Sequence, residues 1–525
     1  MHMKKLAAAV ALACGTLATG GAQAAFPFDP VQVDLFQSGA SAVQNNLKAQ
    51  LPTLFQPGYK TACDNATSNC SAFFSVTGTL ANAAPVPLSI QGKTARIVYR
   101  TRGGSGWGVG VVARAQPIQW MAMNPTTCST TAPAGATVVA DYYCAPTGDD
   151  SLSNGRVPDL GLSDVEPKMF QAPLNVEFGQ TQLDAFNLAG LTNFAVYQQA
   201  FGMPMTNVIP ASLFIDRLLF QSMLSKTGLM HDWTKVNGAP TASINPGSVA
   251  KPVVVCRRVQ GSGTQATTNY IINGFGCGNN DVTAPVPYVD PSRMADSVGF
   301  GAQGTGSSTS DPIVIDPSAG YTVVENPASG DVRSCLTAAQ NGSNWKFKGD
   351  DGKYYEVTFS GADATLATPY SNVDATVKAP YGATGVLSYD SAGTENGWHF
   401  QDMNGLLTAN AAAINASGRP ATSTAKYAVA AMIETDWDYF SEESIQYRNG
   451  ANGKVALSGD LKTLADGLIH VLGDPAVINA NLGIAGLPNQ YPPTMNVTTN
   501  KVGKGTKSGD TCKQKQILYT PQFWN

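Results

Sequence analysis

Apolar and polar positions alternate through VQVDLF at residues 31–36, as expected of a half-buried strand. A small polar turn with Gly39 interrupts the run, and residues 42–51 resume with helical spacing. Residues 95–100 form a second strand-like run that ends in RGGSGWG. Residues 251–257 form a third, which leads into GSGT and another helix-compatible stretch. Strand, small-residue turn and helix in repetition predict an α/β fold. Near the C-terminus Leu461, Leu464, Leu468, Val471 and Leu472 mark one helical face, with Asp460 as the expected N-cap, Gly473 just past the end and His470 on the surface. Between residues 278 and 371 the pattern gives way to Gly/Ser/Thr/Asp-rich sequence, including GFGAQGTGSSTSDP, which predicts an insertion of loops and short hairpins. The GxGxxG match at Gly299, Gly301 and Gly304 has no strand feeding it and reads as coincidence. The acidic stretch 434–443, with Asp436, Asp438 and Glu442, lacks calcium-loop spacing and reads as a solvated helix start.

The chain has 525 residues, room for two or three compact units. With 33 Lys+Arg against 37 Asp+Glu its net charge is −4, which argues against binding nucleic acid by phosphate neutralisation. Only 13% of residues are charged, about half the usual ~25%, yet no apolar run of about 20 residues is available for a helical membrane span. Lys4 and Lys5 precede an apolar stretch at 6–17, and Ala22-Gln23-Ala24 supplies a small-x-small signal. This predicts a signal peptide at 1–24, cleaved after Ala24, and a periplasmic or secreted mature chain. A lipoprotein cut before Cys14 would leave an apolar core of only about eight residues and is the weaker reading.

Removing the leader takes one of nine cysteines and leaves an even number, the mark of disulfides in an exported chain. Cys63 with Cys70 and Cys128 with Cys144 are the expected local bridges, while Cys256, Cys277, Cys335 and Cys512 allow three connectivities. No CxxC occurs, and His2, His231, His399 and His470 lack ligand spacing, so neither a metal nor a cofactor is expected.

Four segments place small hydroxyl or glycine residues directly after a strand: Ser38-Gly39-Ala40-Ser41, Gly103-Gly104-Ser105-Gly106, Leu162-Ser163-Asp164 and residues 258–264, RVQGSGT. Unpaired N–H groups at a helix start carry the positive end of the helix dipole and accept an anion without lysines. Ser41, Ser105, Ser262 and Thr264 add hydroxyl donors, and Arg258 a forked cation suited to a tetrahedral oxyanion. Asp164 repels an anion unless that anion brings a proton to share, which hydrogen phosphate does and sulfate does not.

In these segments the chain resembles the periplasmic phosphate-binding proteins of ABC transporters, from about Val31 to its end. SGAS is similar to that family's first phosphate loop, VYRTRGGSGWGV to its second, PDLGLSDVEP to its Gly-x-Ser-Asp segment, and VVVCRRVQGSGT to its Arg-x-x-Gly-Ser-Gly-Thr loop. SLFIDRLLFQSMLSKTGLMHDW at 212–233 and YGATGVLSYD at 381–390 extend the likeness. It departs at Gln260, where the family often has an acid, and at Ala42, where an aromatic is common. The resemblance implies a type II two-lobe periplasmic-binding-protein-like α/β fold, each lobe a mixed sheet flanked by helices. Lobe 1 would comprise 25–193 and 422–525, and lobe 2 would comprise 194–421. It implies phosphate held by Ser41, the Ala42 N–H, Ser105, Asp164, Arg258, Ser262, Gly263 and Thr264 in a monomer that serves an ABC permease and is not an enzyme. An extracellular scaffold that has lost anion binding is the first alternative. A hydrolase is the second, although Trp107 and Gln260 break GxSxG around Ser105 and Ser262.

Overall fold

The repeated strand–turn–helix units form, with shifted ends. β1 (Val33–Gly39) runs through the small-residue turn into α1 (Gln44–Gln50), followed by β2 (Lys60–Asp64), β3 (Phe73–Thr79) and β4 (Thr94–Arg100), and RGGSG opens α2 (Gly104–Arg114). After β5 (Cys128–Ser129), β6 (Tyr142–Cys144), β7 (Leu160–Ser163) and α3 (Ala185–Ala189) comes the sixteen-residue β8 (Leu191–Thr206). Next are α4 (Arg217–Leu224), β9 (Val254–Arg258), α5 (Gly263–Ile271), β10 (Ile313–Ile315), β11 (Thr322–Asn326) and α6 (Ser329–Asn341). The hairpin of β12 (Trp345–Lys348) and β13 (Tyr354–Val357), then β14 (Ala383–Gly385), β15 (Leu387–Ser388) and β16 (Trp398–Gln401), precede β17 (Phe440–Arg448) and α7 (Gly459–Gly473). This computed structural model describes residues 30–64, 70, 72–133, 136, 138–145, 155–246, 248–275, 289–301, 303–359, 379–392, 395–403, 437–474, 478, 486–488, 505–506, 510–511 and 516–517. The leader, residue 422, Cys277 and Cys512 lie outside the described residues.

The main sheet has the order β11-β9-β14-β8-β17-β7-β1-β4-β3-β2-β6-β5, and its two halves are the two lobes. Parallel pairs β1–β4, β1–β7, β9–β11 and β9–β14 put several strand ends on one edge in each lobe. β8, about 50 Å long at strand rise, joins them. Its first part pairs antiparallel with β17, from Arg448↔Leu191 to Phe440↔Ala200, and its last residues pair with β14 and β16. In the first lobe Leu35, Leu47, Ile97 and Leu464 fill one face of the sheet, and Phe36, Val98, Trp107 and Val112 the other. In the second lobe Val254, Val324, Leu336 and Trp398 share one core with Trp233, whose Nε1 donates to Gly382 O at 2.8 Å.

Four expectations need correction. Strand β9 starts at Val254 rather than at residue 251, because Lys251 turns its Nζ to Asn245 O at 2.8 Å. The stretch 278–371 is not wholly an insertion: β11 pairs with β9 from Thr322↔Val254 to Asn326↔Arg258, and α6 packs on the sheet, so both belong to the second lobe's core. Ser458, not Asp460, is the N-cap of α7, and Gly473 is its last residue rather than the one beyond it; Asp460 sits in the first turn and pairs with Lys93 at 2.6 Å. Finally, the acidic stretch is no solvated helix start. Glu442 and Glu443 lie fully buried in β17, between β7 and β8, while Asp438 meets Arg217 at 3.0 Å. His470 is exposed, as expected.

Both local disulfides form, and the wider connectivity includes Cys256–Cys335, which ties β9 to α6 across 79 residues. A loop of that length makes the bridge worth about 4.5 kcal/mol in the chain-entropy picture. Peptide mass spectrometry without reduction should recover Cys63–Cys70, Cys128–Cys144 and Cys256–Cys335. A different partner for Cys256 refutes the last pairing.

Candidate functional site at the lobe seam

The strand ends converge where the lobes touch. From the first lobe come Ser41, at the turn after β1, Ser105 in the first turn of α2, and Asp164, directly after β7. From the second come Arg258, the last residue of β9, then Ser262 as N-cap of α5 with Gly263 and Thr264 as its first residues. Four hydrogen bonds cross the seam here between these segments. Thr264 donates to Asp164 Oδ2 from both N and Oγ1 at 2.7 Å, Gly106 N donates to Gly261 O at 2.7 Å, and Arg258 Nη1 donates to Ser41 Oγ at 3.0 Å. The predicted residues are thus brought together, with Ala42 buried one position beyond Ser41.

Asp164 is 1% exposed. Its N–H donates to Ser105 Oγ at 3.1 Å, which leaves the Ser105 hydroxyl proton free to point elsewhere. Thr264 engages one carboxylate oxygen, but Oδ1 is buried with no partner. Burial pushes this carboxyl above the usual carboxylate range, opposed by the Thr264 bonds and the Arg258 charge. Such a group is suited to accept a proton brought by a ligand.

Arg258 is not the open fork that its sequence context suggests. At 1% exposure, Nε donates to Asn326 O (3.2 Å), Nη2 to Pro327 O (2.7 Å), and Nη1 to both Ser41 Oγ and Ser329 Oγ (3.0 and 3.1 Å). Burial lowers its pKa, while Asp164 and other carboxylates hold it up. Ser41 and Ser329 stand 3.2 Å apart, so one hydroxyl donates to the other and the second keeps a proton to give outward. The guanidinium acts on an anion largely through these polarised hydroxyls. Each of α2, α5 and α6 also presents an N-terminus, with 11, 9 and 13 residues of aligned dipole.

Ser329 was missed by the sequence reading, although its segment PASGD repeats the small-residue turn after a strand. It lies in the stretch assigned to an insertion. Glu443 was also missed. It is 0% exposed, neither carboxylate oxygen has a partner, and burial, with Asp164 and Asp390 adding to it, raises its pKa well above normal. Asp390 is itself pushed up to about 6, chiefly by burial. Among the described residues no group of three or more His, Cys, Asp or Glu is placed to hold a metal ion. His231 stacks on Tyr321 at 3.6 Å and His399 sits between Asn207 and Gln401, so neither is paired with Ser105 or Ser262.

The seam tolerates no extra bulk at Gly263. A Cβ there would lie 2.6 Å from Ser105 Oγ and 2.7 Å from Asp164 Cβ, both on the opposite lobe. Gly263→Ala is therefore expected to hold the lobes apart and break the Thr264–Asp164 bonds. Small-angle scattering should show a larger radius of gyration than wild type; identical curves and thermal midpoints would sink this view of the seam.

No family model matches the chain, and neither does any curated protein. Among solved structures it is similar to an ABC-type phosphate transport receptor from Vibrio cholerae, at 9% identity over 86% of this chain and 98% of that one (TM-score 0.35). It is likewise similar to the phosphate binding protein from Stenotrophomonas maltophilia, at 10% identity over 86% and 90% (TM-score 0.34). A third is the ancestral soluble variant of the human phosphate binding protein, at 13% identity over 87% and 90% (TM-score 0.37). With TM-scores this low, the functional reading rests on the geometry of the seam itself.

Proposed function

We propose that this protein captures inorganic phosphate between its lobes, as an exported solute-binding protein for ABC-type uptake. The observation that carries the proposal is Asp164: buried between the N-termini of α2 and α5 and within the field of Arg258, with one oxygen held by Thr264 and the other without a partner. A site so rich in donors serves an anion, and a lone acceptor within it selects an anion that retains a proton. Ser41, the Ala42 N–H, Ser105, Ser262, Gly263 and Thr264 would supply the donors, joined by Ser329, with Arg258 behind them. Hinge motion about β8 and β17 would admit the ligand, with 25–193 and 422–525 as one lobe and 194–421 as the other. Binding rather than catalysis is the role, in a monomer cleaved after Ala24 and working in the periplasm or outside it. The three disulfides are the chemistry of an oxidising compartment, and among the described residues no helix is long and apolar enough to cross a membrane.

Titration calorimetry on ligand-stripped protein at neutral pH tests this. Phosphate should bind far more tightly than sulfate, and Asp164→Asn should relax that ratio by at least about tenfold, since the amide no longer repels a fully ionised anion. Equal affinity for the two anions in wild type would refute the role given to Asp164. Absence of phosphate binding would leave the scaffold reading in its place.

Arg258→Ala should weaken phosphate by about a hundredfold, on the order of 3 kcal/mol, because the Ser41 and Ser329 hydroxyls lose the cation that polarises them and the site loses its positive charge. It should also lower the thermal midpoint, because the Asn326 and Pro327 carbonyls lose their donor. Ser329→Ala removes one hydroxyl and should cost about 1 kcal/mol of binding. An unchanged phosphate affinity in folded Arg258→Ala would move the binding site elsewhere.

A further inference from the structure

Beside the anion loops, on the same seam, lies a cavity of about 410 Å³, and a neighbouring cavity of about 230 Å³ shares Glu177, Phe178 and Asp350 with it. Glu177 comes from the first lobe, ahead of α3, and Asp350 and Asp351 from the turn between β12 and β13 in the second. The larger cavity is acidic: Glu177, Asp296, Glu325, Asp350 and Asp351 face only Lys226 and Arg293. Both of those cations are engaged. Arg293 donates to Glu325 from Nε and from Nη2 (3.2 Å), and Lys226 Nζ lies 2.9 Å from Asp296. Asp351 in turn accepts from the Tyr355 hydroxyl at 2.7 Å and from Lys353 N at 3.1 Å.

Glu177 has no cation beside it. It is 3% exposed, it lines both cavities, neither of its carboxylate oxygens has an N–H or hydroxyl donor, and the group it meets is another carboxyl, Asp350. It packs against Gly261 of the 258–264 loop: a Cβ on that residue, whose φ is +84°, would stand 1.9 Å from Glu177 Oε2. Burial, with Asp350 adding to it, pushes the carboxyl well above the usual range, and the already engaged Arg258 opposes the shift. A buried carboxyl in this state holds its proton until a positive group arrives to stabilise the carboxylate.

The surroundings select the kind of positive group. Hard divalent cations take six or more oxygens, and among the described residues no cluster of acids is placed to hold a metal. Phe178, Phe300 and Tyr355 share the lining with Glu177, and aromatic rings beside one carboxylate suit an organic cation with N–H donors and an apolar body. We propose that this seam cavity is a binding site for a small aliphatic ammonium ion, whose nitrogen donates to Glu177 while its methylenes lie against the rings. The site draws on both lobes and adjoins the 258–264 loop through Val259 and Gln260, but its lining includes none of the residues assigned to phosphate, so its test does not depend on phosphate binding.

Thermal denaturation of the phosphate-free mature protein tests this with putrescine at 10 mM, against sodium chloride of equal ionic strength, tetramethylammonium and calcium chloride. Putrescine should raise the midpoint by about 2 to 4 °C, and calcium should not. Glu177→Gln, an isostere that still fills the space, should abolish the putrescine response whatever its own baseline midpoint, and calorimetry should show the same loss of binding. A response to calcium that Glu177→Gln removes would overturn the ammonium assignment in favour of a metal. No putrescine response in wild type, or one that Glu177→Gln retains, would overturn the site itself. The first of these, combined with a more stable Glu177→Gln protein at neutral pH, would identify Glu177 as a carboxyl that merely shares a proton with Asp350.

Discussion

Thr264 grips Asp164 with two 2.7 Å hydrogen bonds that cross from one lobe to the other, and most of the seam is arranged around that contact. A carboxylate this deeply buried loses the hydration that makes its charge affordable, so the protein must replace water with fixed dipoles. It does so with the start of α5, which supplies both the Thr264 amide and, through Ser262, its own N-cap. Gly263 must be bare for the start of α5 to come this close, and Ser105 must be small. Arg258 stands behind the cluster at the end of β9, where a parallel neighbour, β11, provides the two carbonyls that orient its guanidinium.

The second constraint is the continuous path of β8. Because one strand pairs with β17 in the first lobe and with β14 and β16 in the second, the lobes share backbone hydrogen bonds, while their largest hydrophobic cores are separate and meet only where Ala266 and Tyr270 of α5 pack against the first lobe. Distinct main cores allow the lobes to move as units, and the shared strand with the α5 contact limits how far. The register shift between Glu443 and Ser444 lies in this connecting segment, beside a carboxylate that is itself without a partner. Local irregularity and uncompensated charge are thus concentrated where the two halves join.

Much of this was legible from residues. The strand–turn–helix rhythm gave the α/β class, and the hydroxyl-rich turns at Ser41, Ser105 and Ser262 are in the places where chain direction reverses toward the seam. What the sequence hid has physical reasons. Glu442 and Glu443 look solvated because carboxylates normally are; only the position of β17 inside the sheet buries them. Ser329 sits in a region whose glycine and serine content suggests loops, and local composition does not reveal that β11 pairs with a strand almost seventy residues earlier. Arg258 was recognisable as a cation for an oxyanion, but not as one already saturated by carbonyls and hydroxyls, since those partners come from a segment remote in the chain.

The Cys256–Cys335 bridge gives that remoteness a further meaning. Cys256 is two residues before Arg258, and Cys335 is six residues after Ser329, yet Arg258 and Ser329 are separated by 71 positions. One covalent bond therefore reinforces a neighbourhood that the β9–β11 ladder and the Arg258–Ser329 hydrogen bond also hold across a long excursion of chain. Oxidation thus adds a covalent limit on how far β9 and α6 can part, and in a reduced chain the spacing of these donors rests on the strand ladder and hydrogen bonds alone.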